Sequence, residues 1–471
     1  MLQKFSNMSI LSEHYILLSI ISLLSFGIWI NLSPVYGYPK LFVYWRWITL
    51  TVLVNGFILY NVDGCDQVQL FNNFFQTEWK DYQAGMLLWS LALILMCFNF
   101  NYSFEFFILF LISFWSSLMI INTVDFIMFY FLLELQSMSF YILAAWRKNK
   151  RISIEGGLKY FFLSSFASII ILFGFSFLYS FCGLTNINDI ALVQWNSPSD
   201  QWLSLIMVSV GFLFKLYCAP FHYWVADIYE GTTTVVVSAF TILSLLTFYH
   251  FLSKLLFSVY FPFMEYWQML LSYIIPLTLL VGTLGAFYQM KIKRVLAYSS
   301  ISNIGYFLMS LFYMDVSFIN NTYGYIFFYT LSSLLLLLAS SILVPMESNR
   351  LFHENVENWG SWLGLHRINW WLTLVLVILV FSLSGIPPFG VFFGKWYLLS
   401  NLFLWKNYWW MFLSITMTLF TFYYYVRIVK VVSYGKLTSS SLILKQINSV
   451  AIFTLLSLLG VLIWISILFY M

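Results

Sequence analysis

Apolar runs of about 20 residues, the length that crosses a bilayer's hydrocarbon core as a helix, recur along the whole chain with short polar breaks between them. Read with those breaks, they predict about 14 helical spans. The spans begin near His14, Phe42, Ala84, Phe104, Thr123, Leu158, Trp202, Thr232, Trp267, Lys293, Tyr323, Trp370, Trp409 and Val450. Two stretches, Asp63–Tyr82 and Pro345–Arg367, are polar and read as surface loops or interfacial segments. The pattern is that of an all-α polytopic membrane protein, a single transmembrane domain over residues 1–471 with no linker dividing it. The first 13 residues are mixed and lead directly into a span, so no cleavable leader is expected.

The polar breaks also set an orientation. Arg147, Lys148, Lys150 and Arg151 follow the fifth span, Lys291, Lys293 and Arg294 the ninth, and Arg427, Lys430, Lys436 and Lys445 the thirteenth. Odd-numbered spans thus end on one positively charged face, the cytoplasm or a mitochondrial matrix. An even number of spans then places both termini on the opposite face.

Composition sharpens the class. The chain is 62% hydrophobic and 22% aromatic but only 8% charged, against roughly 25% for a soluble domain. The net charge of +4 gives no reason to expect nucleic acid as a partner. Cys65, Cys97, Cys182 and Cys218 form no CxxC pair, and the five histidines show no metal-ligand spacing. Neither a Walker loop nor a dinucleotide-binding glycine fingerprint is present.

Against so apolar a background, three ionisable residues lie deep in their runs: Glu134, Lys215 and Lys395. Even on the lenient insertion scale, a charge at mid-membrane costs about 2.5–3.5 kcal/mol, so each needs a reason. A lysine near a helix end can snorkel to the interface, and a glutamate can be a satisfied structural partner. The two lysines nevertheless share a local design, Lys215 preceding Pro220 and Lys395 following Gly385-Ile-Pro-Pro388. Proline removes a backbone donor and clashes with the preceding turn, so a helix break is expected beside each lysine. At membrane depth such breaks are tolerated only within protein or beside a water-filled cavity, and paired breaks in the two halves of a chain point to an ion pathway.

Four motifs carry a family resemblance: GFLFKLYCAPFHYWVADIYEG over Gly211–Gly231, EGGLKYFFLSS over Glu155–Ser165, KRVLAYSSIS over Lys293–Ser302, and SGIPPFGVFFGKWY over Ser384–Tyr397. In this order the chain resembles the antiporter-like subunits of respiratory complex I over roughly residues 84–432. The resemblance implies two inverted five-helix repeats, 123–258 and 267–432, with broken seventh and twelfth helices. Helices 14–122 would precede these repeats and a helix 450–471 would follow them. Within the family, chain 4 usually has glutamate where this sequence has Lys395, and chain 5 carries a long C-terminal extension. Neither mark is found here, and the aromatic-rich composition resembles that of a mitochondrially encoded product.

The resemblance implies proton-transfer roles for Glu134 and Lys215 as a pair and for Lys395 at the end of a hydrophilic axis. It also places a lysine in the eighth span about 14 residues after Gly231, where this sequence has Leu245. His250 and Lys254 lie further along that span and are the candidates to take its place, with Ser238, Thr241 and Ser244 as hydroxyl bridges. No cofactor is implied in this chain. Flavin, iron–sulfur clusters and the quinone site belong to other subunits. The implied partners are other membrane-arm subunits, including chains 4 and 4L, and membrane lipids, cardiolipin among them. The implied location is the mitochondrial inner membrane, with both termini on the intermembrane-space side. Two other readings stay open: a subunit of a cation/proton antiporter, and a non-conducting scaffold subunit of the same fold.

Overall fold

A computed structural model describes residues 11–32, 42–63, 69–70, 74–97, 102–193, 202–313, 315–342, 358–363 and 365–435. The span expected from Val450 lies outside them. The described chain is helical apart from an antiparallel pairing of Gln69–Leu70 with Phe75–Gln76. Its principal helices are α1 (Leu11–Leu32), α2 (Phe42–Asp63), α3 (Trp79–Cys97), α4 (Phe104–Asn122), α5 (Phe126–Ala144), α6 (Arg151–Cys182), α7 (Trp202–Lys215) and α8 (Tyr223–Gly231). They continue as α9 (Thr234–Phe257), α10 (Met264–Phe287), α11 (Ile292–Tyr313), α12 (Val316–Ile342), α13 (Trp370–Ser384), α14 (Gly390–Leu404) and α15 (Tyr408–Tyr434).

Among the described residues, nine helices are long and apolar enough to cross a bilayer, and α7 and α13 are shorter apolar helices. A helix satisfies its own backbone donors and acceptors, which is why continuous apolar sequence takes this form in lipid. The distribution of side chains on α6 is that of a membrane protein. Phe162, Phe166, Ile169 and Phe173 point outward, while Gly157, Ser164, Ala167, Ser168 and Gly174 are buried. Small residues inside and large apolar ones outside let helices approach closely where lipid offers no hydrophobic drive to associate.

The chain divides into two compact units: Met1–Leu216 with Ala239–Trp267, and Tyr217–Ser238 with Gln268–Met471. In the first, α6 packs tightly on both neighbours. A methyl group on Gly157 would lie 2.8 Å from the Ala145 Cβ of the α5–α6 turn, and one on Gly174 would lie 2.6 Å from Val208 Cγ2 of α7. Phe129 of α5 stacks on Phe251 of α9 with ring centroids 3.6 Å apart. Asp125 caps α5, accepting from the amides of Ile127 and Met128, and Thr185 donates to its other oxygen at 2.7 Å.

In the second unit, α12 and α14 meet at Gly394, where a methyl group would come within 2.6 Å of the Tyr325 side chain. The segment Asn358–Leu363 lies against α15, with Arg427 over the Trp359 ring at 5.0 Å.

Breaks occur beside both lysines. The chain leaves α7 at Lys215, takes a positive φ of 47° at Tyr217 and resumes as α8 at Tyr223, with a cis Ala219–Pro220 bond between. It leaves α13 at Ser384, turns through Gly385 at φ 78° and resumes as α14 at Gly390, with a cis Pro387–Pro388 bond between. One expectation needs correction. The stretch Asp63–Tyr82 is not wholly a loop: α3 begins at Trp79 and takes Asp81 into the interior, where its side chain is fully buried.

Candidate functional site

The first unit holds two groups of buried polar residues. Glu134 sits midway along α5, half-buried, and its Oε2 accepts from Ser137 Oγ at 3.3 Å. Lys215, the last residue of α7, is 4% exposed, and its ammonium donates to Ser164 Oγ of α6 at 2.6 Å. Glu134 is the carboxylate whose field acts on Lys215, yet the two form no ion pair within 4.0 Å. In this structure the Lys215 ammonium is held by the Ser164 hydroxyl, and Glu134 stands apart from it. The sequence marked Ser164 only as part of the EGGLKYFFLSS motif, and a hydroxyl ligand 51 residues before the lysine leaves no other local signal.

The second group forms around Asp81. Its Oδ1 lies 2.7 Å from His250 Nε2 and 2.8 Å from Lys254 Nζ, and its Oδ2 accepts from the Glu78 amide at 2.9 Å. Lys254 also donates to the Ile121 carbonyl at 2.5 Å. The candidates His250 and Lys254, one turn apart on α9, are thus brought together, by a carboxylate that sequence reasoning missed. Asp81 stood in a polar run just ahead of a span, and its partners lie about 170 residues further on. Leu245 is fully buried. Of the hydroxyls near it, Ser244 donates to the Phe240 carbonyl at 2.5 Å and Thr247 to that of Leu243 at 2.6 Å.

In the second unit, Lys395 lies on α14 and is 5% exposed. Its ammonium stands 5.4 Å from the centroid of the Tyr306 ring, a cation–π contact, with no hydrogen-bond acceptor or carboxylate partner among the described residues. Its stem crosses Gly385: a Cβ there would sit 3.2 Å from Lys395 Cδ and 3.4 Å from Nζ. The turn that ends α13 therefore forms a wall of the lysine's seat. At the ends of α8 and α11, Lys291 and Arg294 pair with Glu230, Arg294 also bonds Asp227 at 2.9 Å, and Lys293 donates to the Thr232 carbonyl at 2.5 Å.

The arrangement can hold and exchange protons. Within the first unit a hydroxyl holds the Lys215 ammonium, and a carboxylate joins the imidazole of His250 to the amine of Lys254; Lys215 and, in the second unit, Lys395 lie at helix breaks. Comparison with known proteins bears on this chemistry. Residues 123–421 match the family described as NADH:quinone oxidoreductase/Mrp antiporter, transmembrane. A curated relative, NADH-ubiquinone oxidoreductase chain 2 of Marchantia polymorpha, is 31% identical over 443 residues, covering 90% of this chain and 88% of its own. NADH-quinone oxidoreductase subunit N of Pelagibacter ubique is 29% identical over 400 residues, 82% of each. Among solved structures, a chain of respiratory complex I from Thermus thermophilus superposes with a TM-score of 0.76 at 22% identity, covering 96% of this chain and 97% of that one. A chain of the Mrp complex from Dietzia superposes at 0.82 and 17% identity, covering 97% and 94%. At these identities the superpositions establish the fold.

Proposed function

Since the chain belongs to the NADH:quinone oxidoreductase/Mrp antiporter family, in the class of NADH-ubiquinone oxidoreductase chain 2 and bacterial subunit N, we propose that it moves protons within the membrane arm of complex I. NADH oxidation and quinone reduction take place in other subunits, and redox cofactors are held there. This chain answers electrostatically. The observation that carries the reading is the burial of two ammonium groups, Lys215 and Lys395, each beside a helix break. A charge buried at membrane depth without a carboxylate contact is costly to keep, so a change in a distant charge is felt strongly there.

In this reading Glu134 and Lys215 exchange a proton, and Lys395 serves as the terminal station at the second break. The cluster of Asp81, His250 and Lys254 takes the place of the lysine the family carries at the position of Leu245. Fourteen spans in two inverted five-helix repeats, 123–258 and 267–432, accommodate the two breaks at corresponding places. The setting is the mitochondrial inner membrane, with chains 4 and 4L and cardiolipin among the neighbours.

The buried Leu245 is the observation that favours a non-conducting scaffold, and the likeness to an Mrp complex favours a cation antiporter. One experiment separates the three. Complex carrying Lys215→Ala or Lys395→Ala is purified in mild detergent, reconstituted in vesicles and assayed for NADH oxidation and proton uptake. Assembled enzyme whose redox-driven pumping falls by about a hundredfold or more is expected, the scale of a lost proton-transfer group. Full pumping by both variants means a scaffold. A chain that purifies without NADH dehydrogenase activity means an antiporter.

A further inference from the structure

One side chain of the first unit, beside the Ser137 that contacts Glu134 and the Ser164 that holds Lys215, has no role in the account above. Tyr141 lies on α5 one turn past Ser137, itself three residues past Glu134, so the three share a helix face. Its ring packs edge-on against Tyr160 of α6 at 5.0 Å, and Ser164 follows one turn later on that helix. The Tyr141 hydroxyl lies beside the hydroxyls of both Ser137 and Ser164. It is buried, in a residue 7% exposed, and has no hydrogen-bond partner among the described residues. Phenylalanine would keep the ring packing and remove the unpaired group, so packing alone gives no reason for a tyrosine.

We propose that the Tyr141 hydroxyl is the movable link of a relay running Glu134–Ser137–Tyr141–Ser164–Lys215. The proposal rests on the reading of Glu134 and Lys215 as proton-exchanging residues and supplies the path between them. Both ends of the path are in place: Ser137 contacts the carboxylate at 3.3 Å and Lys215 contacts Ser164 at 2.6 Å. Only the middle is open. When Tyr141 turns its hydroxyl into line, a protonated Glu134 gives its proton to Ser137. Ser137 passes its own to Tyr141, Tyr141 to Ser164, and Ser164 to the neutral amine of Lys215. One O–H bond is broken at the carboxyl and one N–H bond is formed at the amine. Each hydroxyl ends with a single proton, and a neutral acid and amine become a carboxylate and an ammonium. Ser137 also donates to the Glu134 carbonyl at 2.9 Å, so it too must turn before the relay closes. An unpaired tyrosine therefore acts as a gate: the path conducts only while its hydroxyl is aligned.

The test uses intact complex I with the variant chain, reconstituted in vesicles, with NADH-driven proton uptake measured in H2O and D2O alongside NADH oxidation. Tyr141→Phe is expected to assemble in parental amount with undiminished thermal stability, while the pumping rate falls about threefold or more and its solvent isotope effect changes. Ser164→Ala is expected to slow pumping as well. Parental pumping and isotope effect in Tyr141→Phe, with pumping lost in Lys215→Ala, overturn the relay and leave the roles of the two charges standing. Parental pumping in Lys215→Ala overturns those roles themselves. Failure of Tyr141→Phe to assemble also overturns the relay, because it makes the hydroxyl structural.

Discussion

Lys215 and Lys395 are buried and Lys254 is partly so, and the three amines are held to very different degrees. Among the described residues, Lys254 has both Asp81 Oδ1 and the Ile121 carbonyl, Lys215 has one hydroxyl, and Lys395 has only the face of Tyr306. Hydrogen bonds to charged acceptors are the stronger ones, so the Lys254 ammonium is the most firmly anchored of the three and that of Lys395 the least. Removing one member of a buried pair strands the other, at a cost of about 3–5 kcal/mol. Asp81→Ala is accordingly expected to lower the yield of assembled complex and the temperature at which it loses quinone reductase activity. Asp81→Leu combined with Lys254→Met, which removes both charges, should restore much of that loss. A double variant as unstable as the single one would show that the ion pair is not what Asp81 supplies.

At the scale of the helix, the two breaks position the chemistry, and Gly385 shows how closely. It ends α13 in the left-handed region, which costs other residues roughly 1–2 kcal/mol, and the Lys395 stem passes over its bare Cα. Gly385→Ala should therefore shift the ammonium away from Tyr306 and reduce NADH-driven pumping, with a smaller fall in the amount of assembled complex. If assembly collapses while the remaining enzyme pumps normally, the glycine serves the turn alone. This break was legible in the sequence because a Ser-Gly-Ile-Pro-Pro run inside an apolar stretch has few other outcomes. The nine long helices among the described residues were equally legible, since each is specified by its own continuous apolar run. The partners of the charges were not. Ser164 lies 51 residues from Lys215, and Asp81 lies 169 from His250. A hydroxyl or carboxylate on another helix leaves no periodicity in the chain that receives it, so these contacts follow only from packing. Asp81 was further disguised by the polar run Trp79-Lys-Asp-Tyr-Gln83, whose composition reads as loop although it forms the first turns of α3.

For the molecule as a whole, the helix order constrains which residues share an aqueous face. Within the second unit, the α10–α11 turn at Tyr288 and the α14–α15 turn at Lys406 are both exposed. They are separated by α11, by α12, and by α13 and α14 acting together as one broken span. Three such crossings would put the two turns on opposite sides. Lys291, Lys293 and Arg294 cluster at the first of them, and Lys406 stands alone at the second. The acidic partners of Lys291 and Arg294 weaken that asymmetry little, because orientation follows the lysine and arginine count near the span ends. Single cysteines at Tyr288 and Lys406, introduced after replacing the half-buried Cys182 and the exposed Cys97, offer a direct check with a membrane-impermeant maleimide on sealed inner-membrane vesicles. Tyr288→Cys is expected to label only from the matrix face and Lys406→Cys only from the intermembrane-space face. By the same count a cysteine at Lys148, in the positively charged α5–α6 turn, should label together with Tyr288→Cys. Labelling of Tyr288→Cys and Lys406→Cys from one face would mean that α13 and α14 re-enter rather than cross. Lys395 would then open to the same compartment as the α10–α11 turn, and a proton leaving it would gain no passage across the membrane.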